Sequence, residues 1–214
     1  MPRKQVPIIA GDPYQITARG LNREWFDLPM DTVWSIMEDY LYLIHQAYQV
    51  RLHAFLLMSN HFHLMISAPD NNLSEALLYF MRETSKEITR LSGRINQTYG
   101  ARNHKTHLGN VHYFMNTYKY VYQNPVRAGI VARVEEYRYS TIHGLCGLNR
   151  LIIPLESDTL LFNPQFDESV LAWLNTKPDP KHVDEMRRAL RHPKFELKKS
   201  RKNGKASELE KLLL

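Results

Sequence analysis

Residues 51–58, Arg51-Leu52-His53-Ala54-Phe55-Leu56-Leu57-Met58, and residues 61–66, His61-Phe62-His63-Leu64-Met65-Ile66, are two apolar runs joined by Ser59-Asn60 alone. A connection that short pairs the two runs as antiparallel neighbours. This hairpin constrains the fold more than any other segment, because the remaining elements have to cover its apolar surface. It also sorts its own side chains. Residues two apart on a strand share a face and lie roughly 6.6 Å apart. His61 and His63 therefore look one way, and Phe62 and Leu64 look the other.

The elements around the hairpin follow from hydrophobic period and turn chemistry. Residues 13–19 alternate and are rich in strand formers, which predicts a first strand. Residues 20–29 read as a loop. Asp31 is a candidate N-cap for a helix running to about Gln49, with Val33, Ile36, Met37, Tyr40, Leu41 and Ile44 at helical spacing. Asn71 or Asn72 caps a second helix, to about Leu91. Residues 93–109 are loop-rich, with a fourth strand placed between 103 and 108. A third helix spans residues 111–123, and Pro125 discourages its continuation. Residues 126–154 read as short irregular elements, and residues 166–175 as a weaker helix. Pro178-Asp179-Pro180 reads as a linker before a short helix over residues 181–190. The order strand, helix, strand, strand, helix, strand, helix is the split βαβ plan. It predicts a ferredoxin-like α+β fold, an antiparallel sheet with helices on one face. The expected division is a domain over residues 1–150 and a basic, partly helical extension over 151–214 that is flexible near its end.

Composition narrows the setting. With 43% hydrophobic residues in 214, the chain can bury a real core. A single cysteine, Cys146, excludes an internal disulfide and fits a reducing compartment. No stretch approaches the ~20 apolar residues of a membrane helix, and no secretion signal follows Met1. A cytoplasmic protein is expected. The net charge is +6, and it resides in residues 177–214, which hold 12 Lys and Arg against 6 Asp and Glu. The rest of the chain is neutral overall. A basic tail on a neutral domain suggests a polyanionic partner, nucleic acid foremost; a merely solubilising tail is the alternative. Lys198-Lys199-Ser200-Arg201-Lys202 would add salt-dependent DNA affinity. Arg82, Lys86 and Arg90 form a basic stripe on the second helix. It reads either as a phosphate track or as a solvated face paired with Glu83 and Glu87.

Two constellations carry chemistry. His61 and His63 can converge on one cation, although two imidazoles leave a site incomplete, and oxygen donors would select Mg²⁺ or Mn²⁺ over a closed zinc site. Tyr120 and Asn124, four apart in Tyr118-Lys119-Tyr120-Val121-Tyr122-Gln123-Asn124-Pro125, share a helical face. A carboxamide oxygen is a hard ligand, and a phenol beside it can attack a phosphate held on the same ion. A phenol with a pKa near 10 is only ~0.1% ionised at neutral pH, so it needs a cation that polarises the phosphate. The plainer reading is an aromatic helix packed on the sheet, since Tyr113, Tyr118, Tyr120 and Tyr122 cannot all be catalytic.

Several motifs occur together and in order. Tyr14-Gln15-Ile16-Thr17 precedes Arg19-Gly20-Leu21-Asn22-Arg23; Leu52-His53-Ala54-Phe55 leads to Met58-Ser59-Asn60-His61-Phe62-His63-Leu64; then come Tyr120-Val121-Tyr122-Gln123-Asn124-Pro125-Val126-Arg127-Ala128-Gly129-Ile130-Val131 and Tyr137-Arg138-Tyr139-Ser140. Across about residues 13–141 this pattern resembles the REP-associated tyrosine transposases of the HUH superfamily, named for its histidine–hydrophobic–histidine pair. The resemblance implies that His61, His63 and Asn124 ligate Mg²⁺ or Mn²⁺ and that Tyr120 is the nucleophile. Arg19, Asn22 and Arg23 would form a turn near the DNA, with Arg102, Lys105 and Arg127 as further DNA contacts. It implies cleavage and rejoining of single-stranded, hairpin-forming DNA through a 5′-phosphotyrosine, with release of a 3′-hydroxyl, in a bacterial, nucleoid-associated protein. The chain departs from the family at Ser59, where a proline is usual. It departs again at Tyr99, Ala101 and Asn103, where Trp, Gly and Phe are usual.

Two other functions are kept in view. A domesticated protein would bind structured single-stranded DNA without cutting it. An unrelated histidine metallohydrolase would act on small phosphoesters and leave no protein–DNA adduct. A homodimer sharing active sites is a third open question, because related transposases outside this subfamily work that way.

Overall fold

The computed structural model describes residues 7–100, 102–156, 167–197 and 206–214. Strand β1 (Pro13–Arg19) leads through a 3-10 turn, Leu21–Arg23, to helix α1 (Met30–Tyr48). Strands β2 (Arg51–Met58) and β3 (His61–Ser67) form the hairpin, followed by α2 (Leu73–Ser92) and β4 (His104–His107). Then come α3 (Val111–Tyr122), a four-residue turn of helix α4 (Asn124–Arg127), α5 (Thr141–Leu145), α6 (Glu168–Asn175) and α7 (Pro180–Ala189). The strands lie in the order β2-β3-β1-β4, with every neighbouring pair antiparallel. That is the expected ferredoxin-like sheet.

One face of the sheet is closed by α1 and α2. Ile16, Ala18, Phe55, Leu57, Phe62, Leu64 and Ile66 pack there against Val33, Met37, Leu41, Ile44, Leu77 and Phe80. Tyr99 joins this layer edge-on to Phe26 and Phe62, and its hydroxyl pairs with that of Thr84 at 2.9 Å.

Helices on one face alone was the expectation, and here the structure corrects it. Ala54, Leu56, Met58 and Met65 occupy the opposite face, under Phe114, Tyr118, Val121 and Tyr122 of α3. The reason is visible in β2, whose last residues are buried on both sides, as a strand covered by two layers must be. Residues from the expected extension complete this second layer. Leu174, Val183, Met186, Phe195, Leu209 and Leu214 are buried in the same cluster as α3. The Leu214 amide donates to Asn116 Oδ1 at 2.6 Å, which ties the last residues to α3. The same region covers the sheet edges. Leu155 bridges to β2, and residue 107 of β4 exchanges backbone hydrogen bonds with Pro193 and Phe195, so each edge is partly occupied by non-strand chain. The basic run 198–202 lies outside the described residues.

Some helix starts differ from the sequence reading. Pro29 stands at the N-cap of α1 and Asp31 lies inside its first turn, bound to Arg138 at 3.1 Å. Asn72 sits at the N-cap of α2 but turns its amide to the Tyr48 carbonyl instead of capping. Pro125 ends α3 as expected. It then occupies the first turn of α4, where its missing N–H costs nothing.

Gly20 is required by close approach. A Cβ there would lie 2.6 Å from the Glu24 carbonyl oxygen, a backbone atom that cannot swing aside. We expect Gly20→Ala to destabilise the fold by about 1–3 kcal/mol in urea unfolding. An unchanged midpoint would show that the 20–24 turn is free to shift.

Candidate active site

The second face of the sheet carries the candidate site. His61 and His63 alternate with Phe62 and Leu64, which are fully buried on the other side, so the period of the strand sends both imidazoles towards the α3 layer. Their ring centroids are 5.1 Å apart and their planes nearly perpendicular. His61 lies opposite Arg19 and Met58, and His63 opposite Thr17 and Leu56. His61 Nδ1 donates to Asn60 Oδ1 at 2.8 Å, which leaves Nε2 with the lone pair. His63 Nδ1 sits 3.0 Å from the Gln15 amide nitrogen and 3.2 Å from the Thr17 hydroxyl, so Nε2 is the ring nitrogen those contacts leave unused. Burial, helped by the charge of Arg19, pushes the His61 pKa down to about 4. Burial also holds His63 well below its usual value, with His61, Arg127 and Arg19 adding to the effect. Both rings are therefore neutral bases at pH 7, the form that binds a cation.

Among the tyrosines of α3, surroundings decide. Tyr118 and Tyr122 are fully buried, and the Tyr122 hydroxyl pairs with Thr141 at 2.7 Å. The Tyr113 hydroxyl, near the start of the helix, donates to Glu210. Tyr120 is 7% exposed and lies beneath a guanidinium, with Arg127 Cζ 4.2 Å from its ring centroid. Residues 120 and 127 are seven apart, and the helical bonds Gln123 N to Lys119 O and Arg127 N to Gln123 O carry the chain from α3 into α4, so Arg127 falls on the face of Tyr120. Arg127 Nη2 donates to the Tyr120 carbonyl at 3.1 Å and to Asn124 Oδ1 at 2.8 Å, while Asn124 Nδ2 donates to the carbonyls of Tyr120 and Val121. Tyr120, Asn124 and Arg127 are thus one bonded unit, and the charge of Arg127 reaches His63.

The turn after β1 is joined to the histidine hairpin. Gly20 N donates to the Asn60 carbonyl at 2.8 Å, and Asn60 Nδ2 donates to the Arg23 carbonyl at 2.8 Å. Asn22 and Arg23 take positive φ values of 55° and 64°, and with Arg19 they are exposed beside His61. Arg102 is exposed on the segment between Gly100, whose amide donates to the Arg19 carbonyl, and β4. Ala101 lies outside the described residues.

Lys105 is separated from this group. It pairs with Ile16, on the face covered by α1 and α2, and its ammonium donates to Ser74 at 2.9 Å. Asn103, on the same side, donates to Met81 of α2. The basic stripe of α2 is a solvated face with local pairs. Lys86 meets Glu83 at 3.1 Å, Arg82 also pairs with Glu83, and Arg90 pairs with Glu87.

The donor set fits a divalent cation in part. Two neutral imidazoles face one side, and the nearest candidate for an oxygen donor on the α3 layer, the Asn124 carboxamide, has its oxygen bonded to Arg127 at 2.8 Å. Among the described residues no cluster of three His, Cys, Asp or Glu is found, so the two imidazoles are not joined there by a third donor of those types.

Sequence reading missed Lys119. It is 1% exposed, with its ammonium 5.3 Å from the Trp173 ring centroid, and burial pushes its pKa down to about 8. An unfolded chain keeps that proton up to about 10.5, so between those values unfolding takes up protons and stability rises with pH. We expect Lys119→Met to exceed the parent in urea stability at pH 7, with a lead that shrinks as pH rises from 8 towards 10.5. A constant lead would contradict the assignment of a charged, buried ammonium.

Neither a family model nor a curated protein matches the sequence. The fold matches a solved REP-associated tyrosine transposase bound to a REP hairpin, with a TM-score of 0.57 and 21% identity, over 73% of this chain and 96% of that one. The chain therefore has the fold of a REP-associated tyrosine transposase. A second structure, assigned to the transposases and from Deinococcus radiodurans R1, aligns over 48% of this chain and 83% of that one, with 12% identity and a TM-score of 0.38, too low to support an argument.

Proposed function

We propose that the protein cleaves and rejoins single-stranded, hairpin-forming DNA with Tyr120 as nucleophile. The observation that carries this reading is the facing arrangement. A strand face sets two neutral imidazoles towards the layer in which Tyr120, Asn124 and Arg127 form one bonded unit. The fold shared with a transposase bound to a DNA hairpin supports the same substrate class.

In this reading the Tyr120 phenol oxygen attacks the scissile phosphorus. A Tyr–O–P bond forms, the P–O3′ bond breaks, and the phenol proton ends on the leaving 3′ oxygen. One phosphodiester replaces another, so rejoining by a 3′-hydroxyl needs no ATP. A Mg²⁺ or Mn²⁺ held by His61, His63 and Asn124 would supply charge stabilisation at the phosphate. Arg127 fixes the aromatic ring from above and donates to the carbonyl of the same residue. Arg19, Asn22, Arg23 and Arg102, exposed around His61, would carry the DNA backbone; Lys105 sits on the wrong face to join them.

The test uses a labelled single-stranded hairpin drawn from the DNA flanking the coding sequence. With Mn²⁺ we expect a detergent-resistant protein–DNA adduct and a free 3′-hydroxyl end, both lost on chelation. A gel shift with no nicking at any metal concentration would instead favour a binding protein.

A further inference from the structure

We infer that Arg127 exchanges partners when DNA binds: its guanidinium gives up the Asn124 carboxamide for a backbone phosphate, and Asn124 is thereby freed as the third donor to the cation. The inference rests on the proposed function and adds an order of assembly to it.

The orientation of the Asn124 amide is set by its neighbours. Its nitrogen lies 3.3 and 3.1 Å from two carbonyl oxygens, so its oxygen is the atom that accepts from Arg127 Nη2 at 2.8 Å. A guanidinium and a divalent cation on one carboxamide oxygen repel each other strongly in a partly buried site. The oxygen serves one or the other. Arg127 also has capacity to spare. Its Nη1 is buried and has no hydrogen-bond partner among the described residues, a state that costs about 1–3 kcal/mol or more for a charged group. A phosphate offers two oxygens at the spacing of the guanidinium fork, and so can take up Nη1 and replace the bond lost from Nη2. The place is suitable. Arg127 stacks on the Tyr120 ring and its charge is felt by His63, so a phosphate held there is next to the nucleophile and within the electrostatic reach of the imidazoles. The prediction is positive coupling, in which DNA raises cation affinity through Asn124 and the cation raises DNA affinity equally.

The experiment titrates Mn²⁺ calorimetrically into full-length Tyr120→Phe protein, alone and saturated with the flanking-DNA hairpin. In the DNA-free protein, Asn124→Ala should leave Mn²⁺ affinity unchanged, because that oxygen is already committed. In the DNA complex the same substitution should weaken Mn²⁺ by about 10–100-fold. Arg127→Lys keeps the charge but not the fork, and should make the DNA-free affinity depend on Asn124. The inference is overturned if Asn124→Ala weakens Mn²⁺ tenfold without DNA, or has no effect in either state. Failure of the underlying function looks different: Mn²⁺ binding would be indifferent to His61→Ala with or without DNA. Thermal melting of each variant separates loss of folding from loss of binding.

Discussion

Tyr120→Phe is expected to lower covalent adduct formation about a thousandfold or more, since removing a nucleophile outright leaves only positioning and charge stabilisation. Binding of the same hairpin should change little, because the ring stays in place and the phenol is a reacting group instead of an anchor. The fold should also persist. Tyr120 is buried through its ring, under Arg127, and phenylalanine keeps that ring. Gel-shift affinity and adduct yield on one preparation decide the matter. Equal loss of both would make Tyr120 a structural residue. Persistence of the adduct would require another phenol, and the structure offers poor substitutes: Tyr118 and Tyr122 are fully buried and Tyr113 is tied to Glu210.

The second large effect contrasts neighbours on one strand. Phe62 is fully buried among Phe55, Phe80 and Tyr99. Phe62→Ala should cost about 3–5 kcal/mol of stability through lost burial and the cavity left behind. His61, one residue earlier, faces the other way. His61→Ala should leave urea stability within about 1 kcal/mol yet reduce metal-dependent cleavage by about a hundredfold, the scale of losing a ligand or its support. If His61→Ala unfolds the protein while Phe62→Ala leaves it folded but inactive, the register of β3 relative to the two layers is wrong.

Much of this arrangement was readable from residues alone, for specific reasons. The hairpin was clear because Ser59-Asn60 permits one pairing, and the strand period then assigns His61 and His63 to a shared face. The helices were clear where apolar residues recur at helical spacing over many turns, as from Val33 to Ile44. Less was visible where an element is short. Strand β4 has four residues, too few to phase, so Lys105 was grouped with the DNA contacts although it faces Ser74. The second helical layer was hidden in plain view, because the apolar run Phe55-Leu56-Leu57-Met58 fits one covered face or two. The seven-residue spacing puts Arg127 on the helical face of Tyr120, but only if the helix resumes past Pro125, and a proline there predicts a stop. That the guanidinium then lies on the ring instead of reaching solvent is set by packing that spacing does not encode. Likewise, packing of residues 206–214 on α3 depends on contacts between distant parts of the chain, which local pattern does not encode.

Peptide mapping of the protein–DNA adduct tests the central claim most directly. After incubation with the hairpin and Mn²⁺, nuclease trimming and proteolysis, the account predicts a nucleotide 5′-phosphate linked to the peptide that contains residues 118–124, with fragmentation placing the mass on Tyr120. A nucleotide on any other side chain would contradict it, as would clean hairpin cleavage that leaves every peptide unmodified throughout the time course.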